Sequence, residues 1–183
     1  WRNHALAAAY TVDFKPSVTW DSNWDGRAPA SMVRPRRTAE TEQEFSQRLA
    51  AATPCAVRHI LLVRHGQYEM EATRKEDKVL TTLGHEQARF TGQRLASMGL
   101  PLDRVVHSTM VRAVETATDV LEELSMGAAL PGLVVEASDL LCEGAPVPPE
   151  PPVPQYRPSA EQFHEDGARI EAAFRAFFHR APP

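Results

Sequence analysis

The sequence predicts an α/β layer fold built on a mostly parallel sheet, and three observations carry that prediction. A continuous apolar run, Ile60-Leu61-Leu62-Val63, has the length and partial β-branching of a parallel strand buried on both faces. A second run follows around Arg104 to His107. Segments of helical period lie between and beyond the two, so strands and helices alternate. Open sheets of this class gather their ligand sites at the carboxyl ends of the strands.

At 183 residues the chain is long enough for one domain with a sizeable core. A formal net charge of −4 argues against general nucleic-acid binding, which needs a basic face. Two cysteines, Cys55 and Cys142, are too few for a disulfide framework and read as reduced thiols. Seven histidines form no His-Glu-x-x-His or paired Cys/His pattern, so no metal and no other cofactor is expected. No stretch nears the ~20 apolar residues that cross a bilayer. The first residue is Trp1 rather than methionine, which leaves an upstream targeting or anchoring segment open.

Residues 1–55 read as an N-terminal extension and residues 56–183 as the α/β domain. Within the extension, Trp20-Asp21-Ser22-Asn23-Trp24-Asp25 sets two indoles four residues apart. On a helix they share one face; in a loop they are two separate anchors, for a partner or for the same chain. Glu40 to Leu49 is a short helix, with Phe45 and Leu49 at i, i+4. After the first strand, the charged segment from Glu69 to Lys78 has no period and reads as a surface loop. The next helix runs to about Met98, with Ala88, Thr91, Leu95 and Met98 on its apolar face and Gly99 as its stop. The second strand turns through Ser108-Thr109-Met110 into a helix whose face is Ala113, Ala117, Val120, Leu121 and Leu124, closed by Gly127. A short strand from Leu133 to Glu136 leads to a proline-dominated stretch from Gly144 to Pro158, which is stiff and extended. The last helix starts at Ser159, spaced to Gln162 as in a capping box. It carries Phe163, Ile170, Phe174 and Phe177 on one face and runs to about Arg180.

Three features converge on the carboxyl end of such a sheet. Arg64-His65-Gly66 follows the first strand, Arg112 lies in the first turn of the helix after the second, and Glu143 opens the proline-stiffened loop. The bland alternatives are a core strand with a polar end, an Arg112 on the surface paired with Glu115 or Glu143, and a solvated Glu143. His59, His107 and His164 have no supporting pattern and read as structural or exposed.

Together these motifs are similar to those of the histidine phosphatase superfamily, also called phosphoglycerate mutase-like. The Trp-Asp-x-Asn-Trp-Asp segment, the Arg-His-Gly turn, Glu-Gly-Ala-Pro and Glu165 to Arg175 resemble its mitochondrial serine/threonine protein phosphatases. The resemblance implies a three-layer fold, phosphoprotein substrates and a phosphohistidine intermediate on His65. It implies phosphate binding by Arg64 and Arg112, whose guanidinium forks suit phosphate oxygens, and general-acid duty for Glu143. It further implies a homo-oligomer assembled through Trp20, Asp21, Asn23, Trp24 and Asp25, and a membrane anchor outside these residues. The alternatives are a non-catalytic multimerising or regulatory fragment, and a sugar-phosphate mutase or small-molecule phosphatase of the same fold. The superfamily carries a second histidine on a later strand, whereas this sequence ends at Pro183. The expectation is therefore a sheet lacking its C-terminal strands, and activity lowered on the order of a hundred- to a thousandfold.

Overall fold

The computed structural model describes residues 19, 21–127, 130–149, 151–153 and 156–181. Its elements are helices α1 (Pro29–Met32), α2 (Glu42–Ala51), α3 (Thr82–Ser97), α4 (Val111–Gly127) and α5 (Ala160–Phe177), with strands β1 (Arg104–Ser108) and β2 (Val134–Ser138). Single turns of 3-10 helix occupy Lys75–Asp77 and Asp139–Leu141.

The caps explain where the helices begin. Thr41 and Glu44 form a full capping box at α2, each side chain taking the other residue's backbone N–H. Thr81 accepts the Gly84 N–H at α3, and Ser159 accepts the Gln162 N–H at α5. Gly99, at a φ of 59°, ends the chain's run past α3, as its position in the sequence predicts.

β1 and β2 are parallel, with Arg104 opposite Val134 and Ser108 opposite Ser138. Parallel neighbours need a crossover, and α4 supplies it. The core lies where α3 packs on α4: Ala88, Val120 and Leu124 are buried, with Leu95, Ala96, Leu102, Leu121 and Leu130 around them.

Four expectations need correction. The run 60–63 belongs to no ladder; all four of its side chains are exposed, Leu62 to 78%. A strand is defined by its neighbour, and among the described residues the sheet consists of β1 and β2 alone. The buried face of α3 is Gly84, Ala88 and Gly92, while Met98 is exposed. Small residues face α4 here because they let the two backbones approach. On α4 the buried stripe includes polar Arg112, Thr116 and Asp119 beside Val120 and Leu124. Asp119 is explained by its partner, since its Oδ2 meets His85 Nδ1 at 2.7 Å. Finally, α5 stops at Phe177 rather than Arg180, because residues 178–180 are drawn into contacts with the N-terminal segment.

Those contacts are dense. Trp24 packs on Phe174 at 4.7 Å between ring centroids, and Phe174 stacks on Phe178 at 5.1 Å. Asp25 Oδ2 accepts the Arg180 N–H at 3.1 Å and its Oδ1 lies 3.2 Å from the Arg180 guanidinium. Arg180 also donates to the Ser22 carbonyl, and Arg58 to the His179 carbonyl at 3.3 Å. Among the described residues, no helix is long and apolar enough to cross a membrane. Cys55 and Cys142 are both free thiols.

Candidate active site

The turn after residues 60–63 is fixed by its backbone. Gly66 donates its N–H to Thr116 Oγ1 at 3.1 Å, and that hydroxyl donates to the Arg112 carbonyl at 2.7 Å. One threonine therefore hangs the residue after His65 on the turn of α4 that carries Arg112. On the other side Gln67 is held by α3: its N–H donates to Gln87 Oε1, and its carbonyl accepts the Thr81 N–H, both at 2.9 Å. Gly66 and Gly84 meet backbone to backbone, so closely that a Cβ on either would collide with the other segment. An antiparallel bridge between Tyr68 and Leu80 completes the tie, and Glu115 accepts the Leu80 N–H at 2.6 Å.

His65 is half-buried, and its Nδ1 lies 2.9 Å from the Gly66 carbonyl oxygen. A carbonyl only accepts, so Nδ1 carries the hydrogen and the neutral ring keeps its lone pair at Nε2. The imidazole stands edge-on to Tyr68, 5.2 Å between centroids at 79°. A second neighbour of that ring is Arg112, whose guanidinium carbon sits 4.7 Å from its centroid. Tyr68 thus has the imidazole and the guanidinium as immediate neighbours, within the range of cation–π attraction for the latter.

Arg112 is only 3% exposed and occupies the positive end of α4, where a cation runs against the helix dipole. Its Nη2 meets Glu143 Oε2 at 2.5 Å. Its Nε is buried and has no hydrogen-bond partner among the described residues. Leaving a buried donor unmatched costs about 1–3 kcal/mol, so the position is an expensive one to keep for structure alone. Glu115, the other acid considered for Arg112, is engaged with Leu80 instead.

Glu143 follows the 3-10 turn Asp139–Leu141, and its carboxylate remains 72% exposed while reaching Arg112. The loop around it is gripped by α5. Arg169 donates to the carbonyls of Leu140, at 3.1 Å, and Cys142, and Asp166 Oδ2 accepts the Ala145 N–H at 2.7 Å. The Cys142 sulfur rests against Thr109 Oγ1 at 3.3 Å.

Of the residues singled out in the sequence, His65, Arg112 and Glu143 thus share one neighbourhood. Arg64, next to His65 in the sequence, is exposed and makes no hydrogen bond or ion pair among the described residues. Trp20 lies outside the described residues. Asp21 Oδ1 accepts the Asn23 N–H at 2.9 Å, and Asn23 Oδ1 the Ala28 N–H at 2.7 Å. Trp24 and Asp25 make the contacts to α5 already given. His59 and His164 are exposed, and His107 Nδ1 faces the Ser108 carbonyl at 3.0 Å. Sequence reasoning missed Tyr68, Thr116, Asp166 and Arg169. Thr116 had a readable signal, four residues past Arg112 on one helix face; Asp166 and Arg169 sit at i, i+3 within the quoted Glu165 to Arg175 segment; Tyr68 had none.

Residues 60–143 match the histidine phosphatase superfamily, branch 1. Over 164 residues the chain is 49% identical to the mitochondrial serine/threonine-protein phosphatase PGAM5 of Rattus norvegicus and equally to that of Homo sapiens. It is 50% identical over 170 residues to the mitochondrial Pgam5 phosphatase of Drosophila ananassae. These alignments take in 88% to 90% of this chain and 55% to 56% of the relatives. The chain spans about half the length of the curated relatives it matches.

Proposed function

We propose that the protein, whose residues 60–143 match the histidine phosphatase superfamily, removes phosphate from phosphoserine or phosphothreonine in protein substrates. The observation that carries this reading is the pairing of a buried Arg112, one donor unmatched, with a His65 whose Nε2 lone pair is free. Phosphate oxygens accept from Arg112 Nε and Nη2, taking over the Nη2 contact that Glu143 makes in this structure and releasing its carboxyl to carry a proton. Arg64, exposed beside His65, adds the second guanidinium.

The chemistry proceeds in two displacements. His65 Nε2 attacks phosphorus, the P–N bond forms and the P–O bond to the serine or threonine oxygen breaks. The leaving alkoxide takes the proton from the Glu143 carboxyl, which matters because an alkoxide is a poor leaving group. Glu143, now a carboxylate, then takes a proton from water as that water attacks phosphorus. Phosphate leaves, and His65 and the protonated Glu143 are restored. The surrounding charges stabilise a transition state that is mostly a matter of position and electrostatics.

The test is direct. His65→Ala should abolish hydrolysis of phosphoserine and phosphothreonine peptides and remove acid-labile phosphate from the quenched protein. Labelling that survives the substitution would identify another nucleophile and overturn the assignment.

We also propose mitochondrial residence, as in the proteins whose names say so, and self-association through the segment of Trp20, Asp21, Asn23, Trp24 and Asp25. A partly exposed Trp24 supports the latter. Sedimentation of Trp20→Ala and Trp24→Ala variants should show a smaller assembly; an unchanged size would count against the segment.

A further inference from the structure

We infer that Asp166 and Arg169, on one face of α5, are positioning residues that set where Glu143 delivers its proton. The inference rests on the proposed general-acid role of Glu143. Four interactions make the clamp. Arg169 donates to the carbonyls of Leu140, at 3.1 Å, and of Cys142, the residue immediately before Glu143. Asp166 Oδ2 accepts the Ala145 N–H, two residues after it, at 2.7 Å. Asp166 Oδ1 closes the unit on Arg169 Nη2 at 2.8 Å.

The other contacts hold the loop upstream of Glu143: the Cys142 N–H donates to the Asp139 carbonyl at 3.1 Å, and the Cys142 sulfur rests against Thr109 Oγ1. Among the described residues, Glu143's own N–H faces only the Met110 sulfur at 3.5 Å, and its carboxylate is mostly in water apart from Arg112. An exposed glutamate on an untethered loop samples many rotamers, and ordering it costs free energy. The clamp fixes the backbone on both flanks, so the side chain starts from one place. Gly144 is part of the design: a Cβ there would run into the Arg169 guanidinium and lie 2.5 Å from Asp166 Cγ. A side chain at this position would push both charged groups off the loop. The Asp166 carboxyl is held below its ordinary pKa, first by the Ala145 N–H and then by Arg169, so the clamp stays charged at neutral pH. α5 thereby acquires a task in the reaction although none of its residues touches the reacting atoms.

A leaving-group series separates this from a purely structural role. In the full-length protein, Asp166→Asn, Arg169→Gln and Gly144→Ala are compared with Glu143→Gln on aryl phosphates, p-nitrophenyl phosphate among them, and on phosphoserine peptides. In the first displacement, which kcat/KM reports, a misplaced acid hurts only leaving groups that need a proton. The three clamp variants should lose about tenfold or more in kcat/KM on phosphoserine while kcat/KM on p-nitrophenyl phosphate changes by less than about twofold. Gly144→Ala keeps both charges, so it tests the geometry where loss of a charge lowers stability. Adding Asp166→Asn to Glu143→Gln should give no further leaving-group-dependent loss. Equal losses across the series, or none, with melting temperature unchanged, overturn the clamp. If Glu143→Gln itself shows no dependence on the leaving group, the general-acid role fails first and takes the clamp with it.

Discussion

Thr116 uses one hydroxyl twice, accepting from Gly66 and donating to the Arg112 carbonyl. Both ends of that link are buried, so its loss strands a polar group out of water. Thr116→Val keeps the shape and removes the hydroxyl. It should cost about 1–3 kcal/mol in urea unfolding, with turnover falling as the His65 turn loosens. An unfolding midpoint equal to that of the parent would show that Gly66 finds another acceptor. At Tyr68 the ring matters and its hydroxyl does not figure in either contact. Tyr68→Phe should keep kcat/KM, whereas Tyr68→Leu should lower it by several-fold, the range of a cation–π contact worth about 0.5–2 kcal/mol. Equal losses in both variants would assign the effect to the phenol. These contacts explain what could be read beforehand. His65, Arg112 and Glu143 stood out because their charge or nucleophilicity sits in a motif. Threonine, tyrosine and an i, i+3 Asp–Arg pair are ordinary helix and loop residues until another segment arrives beside them.

Helices announced themselves through their own periods and caps. Thr41, Thr81 and Ser159 carry local instructions, and each begins a helix where the sequence places one. α2 buries no residue, so its capping box contributes an unusually large part of what holds it. Thr41→Ala should therefore cost about 1 kcal/mol, seen as faster hydrogen exchange throughout α2 with α3 and α4 unaffected. Exchange that speeds up in all three helices would contradict such local independence. Strands gave a different result. The run from Arg104 found its parallel partner at Val134, whereas residues 60–63, more apolar, found none among the described residues. Hydrophobicity marks a segment as suited to a sheet, but only a neighbour supplies the ladder. The faces of α3 and α4 went astray for a related reason. Periodicity locates a stripe to within a residue or two, while the choice between Met98 and Gly92, or the burial of Asp119, depends on the helix opposite.

Across the molecule, the two ends of the described chain meet at Asp25 and Arg180. Burial pushes the Asp25 carboxyl up, yet the N–H groups of Arg180 and Arg27 and the Arg180 charge hold it below its ordinary value. A carboxyl depressed in the folded state adds stability above its unfolded pKa, near ~3.9, and loses it as pH falls through the lower folded value. The melting temperature should accordingly drop on acidification below about pH 4. Asp25→Asn should flatten that drop while lowering stability at neutral pH; an acid limb unchanged by the substitution would place the titration elsewhere. The layered α/β class and the family match were legible because they rest on motifs and alternation. The meeting of residues 21–27 with 174–180 was not, since nothing local in either stretch names the other.

The exposed run at residues 60–63 also bears on how the protein behaves when concentrated. Four adjacent β-prone side chains without proline, open to water, offer a template on which another copy can lay the same four residues. Light scattering in stored samples should then grow with a concentration-dependent lag, and Leu62→Lys should lengthen that lag by placing like charges at each successive rung. Scattering indifferent to the lysine would move the nucleus to another segment. The segment that leads into His65 is then also the one that captures other copies, and a chain held in such a stack carries its nucleophile out of solution with it.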